Sequence, residues 1–148
     1  MASEAPVVLV TGAAGGLGAR LVSGFAAGGW RVAAGWHRTP LQLEAADAVM
    51  PVPLDVTDPE APEAAVAAVI ERWGRLDALV NNAGVVADAL VPRMSLDDWD
   101  AVLAVNLNGA RRCAQAAVRV MARQRDGHIL NITSYGGRVG RAGQANYA

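Results

Sequence analysis

Lysine is absent from this 148-residue chain; all thirteen basic side chains are arginine. No lysine ammonium is therefore available within these residues to tune or hold a catalytic group. The single cysteine, Cys113, excludes an internal disulfide and a cysteine-based metal cluster, and no metal site is expected. No apolar run reaches the roughly 18 residues of a membrane-spanning helix. Met1 to Pro6 lacks the basic start and apolar core of a signal peptide. A net charge of -1 gives no electrostatic footprint for nucleic acid or an anionic membrane. These absences lead us to expect a cytoplasmic protein with neither nucleic acid nor membrane as partner.

What remains is the composition of a globular domain: 53% hydrophobic and 18% charged residues, enough to bury a real core. Residues 1–6 are expected to be a flexible N-terminus and 7–148 a single domain. Val7 to Val10 reads as a buried strand and enters the glycine-rich turn Thr11 to Gly18. Leu17, Leu21, Val22 and Phe25 then fall on one helical face, ended by Gly28-Gly29. Arg31 to Gly35 is a second strand. Val49 to Leu54 is a third, where Pro51 and Pro53 suit strand ends or an edge better than a central position. An alanine-rich helix over Pro59 to Trp73 precedes a fourth strand, Leu76 to Val80. Ser95 and Asp98 form a capping box for a helix running to about Arg123, with Val102, Val105, Leu107, Cys113, Ala117, Val120 and Met121 on its buried side. His128 to Thr133 is the fifth strand. Strands alternating with helices predict an α/β fold: a Rossmann-like, doubly wound parallel sheet with helices on both faces. The four tryptophans lie near element ends and read as packing anchors, Trp36 excepted.

The turn Thr11-Gly12-Ala13-Ala14-Gly15-Gly16-Leu17-Gly18 follows a strand and opens a helix. Gly12 permits the turn, Gly16 lets backbone approach a pyrophosphate, and Gly18 brings the helix close to the sheet. The helix N-terminus offers unpaired N–H groups and a positive dipole end. The spacing is G-x-x-x-G-x-G, distinct from the ordinary G-x-G-x-x-G fingerprint. After the second strand, Gly35-Trp36-His37-Arg38 contains no carboxylate of the kind that selects NAD. Arg38 can meet the 2′-phosphate of NADP, or be a solvated loop residue. Asp55 can accept from an adenine amino group, or cap the next helix.

The motifs TGAAGGLG, the LDV holding Asp55, the NNAG of residues 81–84, Asn106 in VNLNG, and Ser134 thirteen residues before Tyr147 stand in one order and register. In that order they resemble the short-chain dehydrogenase/reductases, over a span from Val7 to the last residue. NNAGVVADALVPRM, WDAVLAVNLNG and GQANYA are most similar to bacterial 3-oxoacyl-[acyl-carrier-protein] reductases. The resemblance implies a nicotinamide cofactor, NADP with NAD as the alternative, bound by Thr11, Gly12, Gly16, Leu17, Gly18, Arg38, Asp55, Asn82, Ala83 and Gly84. It implies that Asn106 holds a water in a proton relay, that Ser134 hydrogen-bonds the substrate carbonyl and that Tyr147 donates the proton. It further implies an acyl-carrier-protein or coenzyme A thioester substrate, with Arg125 docking the acidic carrier or, alternatively, complementing a helix dipole. Full-length members of the resembled family are homotetramers.

Two departures qualify the resemblance. NADP-using members often carry a basic residue where this chain has Gly15. The family lysine, four positions after the tyrosine, would fall beyond Ala148. The chain alone is therefore expected to be inactive, and a catalytically incomplete nucleotide-binding or subunit-interaction protein is the alternative.

Overall fold

The computed structural model describes residues 5–41 and 48–148; of the expected flexible start, residues 1–4 lie outside the described residues. Five strands form one sheet in the order β3-β2-β1-β4-β5: β1 (Val7–Val10), β2 (Arg31–Trp36), β3 (Val49–Pro53), β4 (Ala78–Asn81) and β5 (His128–Asn131). Every pairing is parallel. The helices are α1 (Gly16–Ala27), α2 (Ala61–Trp73), α3 (Leu96–Leu103), α4 (Ala110–Gln124) and the short α5 (Gly136–Val139). The expected doubly wound α/β fold is present.

β1 explains the two-layer core. All four of its residues are buried, and strand alternation sends them to opposite faces. Val7 and Leu9 join α2 and α4 through Val66, Val69, Ala117 and Met121. Val8 and Val10 join Val22 of α1, with Leu21 and Phe25 packed alongside. Each fully buried aliphatic side chain contributes about 1.5–3 kcal/mol of transfer free energy.

The proline-bearing strand lies at the sheet edge, as expected. The Leu54 N–H donates to the Trp36 carbonyl at 2.6 Å. Alternation then turns positions 51 and 53 outward, where a missing N–H breaks no ladder bond.

At the amino edge of the sheet, Asp77 accepts from the Val7 N–H at 2.7 Å and from the Arg75 guanidinium at 2.6 and 2.9 Å. Burial pushes its pKa up, but these donors outweigh that and hold the carboxyl below the usual range. Cys113 is buried, and desolvation pushes its thiol up to about 11, slightly opposed by Arg112; it is an inert packing residue.

One expected core position, Leu107, is corrected. Leu17, expected both on one face of α1 and as a cofactor contact, is 53% exposed. Leu107 is 62% exposed. The helix after Ser95 is not one uninterrupted α-helix: residues Ala104–Gly109 form a π-helical turn. The wider turn shifts the side-chain register, so a 3.6-residue count carried across it misplaces Leu107. The capping box itself is present, Ser95 Oγ accepting from the Asp98 N–H at 3.0 Å.

Candidate active site

The chain leaves β1 toward β2 and β3 on one side and later reaches β4 and β5 on the other. The chain thus reverses direction across the sheet between β1 and β4, and the carboxyl ends of the strands at such a point are the usual ligand position in open α/β sheets. Thr11 and Gly12 follow β1, Arg38 follows β2, Asp55 follows β3, Asn82 to Gly84 follow β4, and Ser134 follows β5. All therefore lie along one edge.

Thr11, Gly12, Asn82 and Ala83 are built into each other. Buried Thr11 accepts through Oγ1 from the N–H groups of Asn82 at 3.0 Å and Ala83 at 2.9 Å. The Asn82 side-chain amide donates back to the carbonyls of Thr11 at 2.9 Å and Gly12 at 3.2 Å. Gly12 sits at φ 64°, and a Cβ there would come within 2.8 Å of the Ala83 Cα. A Cβ on Gly18 would meet the Gly12 carbonyl oxygen at 2.2 Å. Glycine at these two positions lets α1 start hard against the strand end.

The start of α1 fits an anion. Its cap residue is Gly15, no side chain caps the helix, and its first turn holds no acidic residue. The first-turn N–H groups have no intrahelical acceptor. A Cβ on Gly16 would meet nothing within 4 Å, so the approach to those N–H groups is open. Such a cradle suits a pyrophosphate. Residues Gly16, Leu17 and Gly18 form its mouth.

Past β3, Asp55 does not cap the next helix, because α2 begins at Ala61 with Glu60 as its cap residue and no side-chain cap. One carboxylate oxygen accepts from the N–H and hydroxyl of Thr57 at 2.9 and 2.7 Å, a local turn-capping arrangement. The other lies 3.2 Å from Nε2 of His37. Burial raises the Asp55 pKa, but the Thr57 hydrogen bonds, with His37 and Arg38 beyond them, outweigh it and hold the carboxyl low. Arg38 is exposed at the rim, with no ion pair among the described residues. Thr57 and the His37–Asp55 pair were not singled out from the sequence; the D-x-T spacing was the available signal for the first.

Asn106 lies in the π-helical turn. Its Oδ1 accepts from the Val85 N–H at 2.9 Å, and its Nδ2 donates to the Val85 carbonyl at 3.0 Å. A Cβ on Gly84 would stand 3.6 Å from that Oδ1, so Asn106 closes over the end of the 81–84 motif. Ser134 Oγ accepts from the Gly136 N–H at 3.2 Å. A Cβ on Gly136 would lie 3.6 Å from Ser134 Oγ and 3.3 Å from Gln144 Oε1. Gly136, two residues after Ser134, thus sits beside the side chain of Gln144, three residues before Tyr147. No hydrogen bond joins the side chains of Asn106, Ser134 and Tyr147 among the described residues.

Arg125 stands at the opposite edge, between α4 and β5. It ends α4 in the left-handed conformation, φ 58°, its N–H donating to the Ala122 carbonyl at 3.3 Å. Among the described residues no helix is long and apolar enough to cross a membrane.

The short chain dehydrogenase family model matches residues 6–148. The chain belongs to that family. The 3-oxoacyl-[acyl-carrier-protein] reductase FabG of Thermotoga maritima is 40% identical over 100% of this chain and 63% of its own length. The 3-oxoacyl-[acyl-carrier-protein] reductase of Synechocystis sp. is 37% identical over 99% of this chain and 63% of the relative. The short-chain reductase protein NovJ of Streptomyces niveus is 41% identical over 99% of this chain and 58% of the relative. This short-chain dehydrogenase chain thus spans less than two thirds of the length of these curated relatives.

Proposed function

We propose that these residues serve the NAD(P)H-dependent reduction of a carbonyl to an alcohol, with a 3-oxoacyl thioester as substrate. The observation that carries this reading is the uncapped, acid-free start of α1 beside the interlocked Thr11, Gly12, Asn82 and Ala83. The bound nicotinamide would supply the hydride. The first-turn N–H groups of α1 hold the pyrophosphate, and Asp55 receives the adenine amino group. Arg38 meets the 2′-phosphate, which makes NADP the proposed cofactor and NAD its competitor.

At the reacting end, negative charge develops on the carbonyl oxygen. Ser134 and Tyr147 place hydroxyl donors there, and Tyr147 completes the step as general acid. Asn106 orders the water of the proton relay. The family lysine that accompanies such a tyrosine has no counterpart in these 148 residues. Arg125 is the proposed contact for an acidic carrier protein, in addition to closing α4.

The test joins the chain to the C-terminal portion of a 3-oxoacyl-[acyl-carrier-protein] reductase and follows NADPH and NADH oxidation with acetoacetyl-CoA. Turnover lost on Tyr147→Phe supports the reading; a folded fusion without turnover on this or related ketones rejects it. The second reading, a nucleotide-binding or subunit-interaction protein without catalysis, is favoured by one feature: the cradle at α1 is complete without Ser134 or Tyr147. Calorimetry of the 148-residue chain with NADP and NAD tests it directly.

A further inference from the structure

The residue before the candidate proton donor is one of the few buried polar side chains of the domain. Asn146 is 5% exposed. Its Nδ2 donates to two carbonyls on separate parts of the chain, Ala87 at 3.0 Å and Asp98 at 3.1 Å. Two acceptors settle the orientation of the amide, because turning it over would press Oδ1 against both of them. That Oδ1 is buried and has no hydrogen-bond partner among the described residues. Leaving a buried acceptor unpaired costs stability and calls for an explanation in what the amide holds.

What it holds is the segment after β4. The Gly143 carbonyl accepts from the Ala89 N–H at 2.9 Å. Ala89 and Gln144 form an isolated parallel bridge, and the Gln144 amide donates to both oxygens of Asp88 at 3.2 Å. Residues 143–146 are therefore fastened to 87–89. Two residues earlier, Val85 is gripped through both its N–H and its carbonyl by Asn106. One short stretch, 85–89, is thus held at one end by the asparagine of the π-helical turn and at the other by the asparagine beside Tyr147.

We propose that Asn146 is a positioning residue for Tyr147, acting as one unit with Asn106 through the 85–89 segment that both amides grip. Asn106 and Tyr147 share no hydrogen bond, yet each is referenced to the same backbone. Releasing either amide lets the segment move and changes the placement of the phenol. The proposal rests on Tyr147 being the proton donor, but its physical content, the coupling of two amides through 85–89, is measurable without turnover.

The experiment uses the 148-residue chain with Tyr135→Phe, which leaves Tyr147 as its only tyrosine. Asn106→Ala, Asn146→Leu and the double variant are compared by amide hydrogen exchange and by the NMR ring resonances of Tyr147. The expected result is that Asn106→Ala, which touches no atom of the tail, speeds exchange over residues 143–148 by about fivefold or more, the weight of one hydrogen bond. It also moves the Tyr147 ring resonances in the same direction as Asn146→Leu, and the double variant adds little to either. Unchanged exchange at 143–148 in Asn106→Ala, or effects that simply add, overturns the proposal. Should Asn146→Leu not fold, Asn106→Ala and Gln144→Ala carry the same comparison. Coupling without turnover in the fusion described above would retain this inference and reject the reductase reading. Turnover without coupling would do the reverse.

Discussion

Two helices of this domain begin in opposite ways. α3 begins closed: Ser95 and Asp98 cap each other's backbone, and Asp97 adds a negative charge to the first turn. α1 begins open: its cap is a glycine, and no side chain or acidic residue answers its N–H groups. A helix start costs stability unless something satisfies it. α3 is satisfied by its own sequence, whereas α1 leaves its start open for the ligand proposed above. On that reading, the difference separates an element that only has to be stable from one that has to bind.

The contrast is broken most severely at Gly18. Gly18→Val places a Cβ where the Gly12 carbonyl stands, at 2.2 Å. We expect a stability loss of about 3 kcal/mol or more, read by chemical denaturation, and loss of nucleotide binding in calorimetry. A milder change converts the open start into a closed one. Gly15→Asp introduces a capping carboxylate at a position with non-helical backbone and room for a Cβ, 3.5 Å from its nearest neighbour. It should raise stability by a few tenths of a kcal/mol while weakening NADP binding by about tenfold, roughly 1.4 kcal/mol. A variant that gained stability and kept its affinity would show that α1 is not the phosphate site. Ser95→Ala opens the closed start; it should cost about 1 kcal/mol of stability and leave the nucleotide dissociation constant unchanged.

The smallest expected effect is a control away from both helices. The lowered Asp77 pKa contributes stability that is present in full above the usual carboxylate range and is lost as pH falls through the depressed folded value. Asp77→Asn should flatten that acid limb in thermal melts, with nucleotide binding near neutral pH unaffected.

The order of elements was legible because β1, β2 and β4 are short apolar runs between helices, and because Pro51 and Pro53 cannot serve a central strand. The glycine turn was legible for a related reason: a Cβ at Gly12 or Gly18 would collide with neighbouring backbone, so no other residue fits. What periodicity did not show was where a helix ends its contact with the sheet. Leu17 carries the apolar character of its face but, in the first turn of α1, stays exposed. Leu107 follows a widened turn that no count of 3.6 anticipates. Thr57 and Asn146 escaped notice because their importance is a matter of partners: Asp55 two residues away for one, the carbonyls of Ala87 and Asp98 far along the chain for the other.

β1 has a consequence for how this protein can change over generations. Its four residues answer alternately to two separate cores, so no position within it is free to vary for the sake of a new ligand. Substitutions that explore other cofactors or substrates must accumulate beyond Val10, on the turns at the strand ends. Packing constrains the strand, and the room for change lies at its rim.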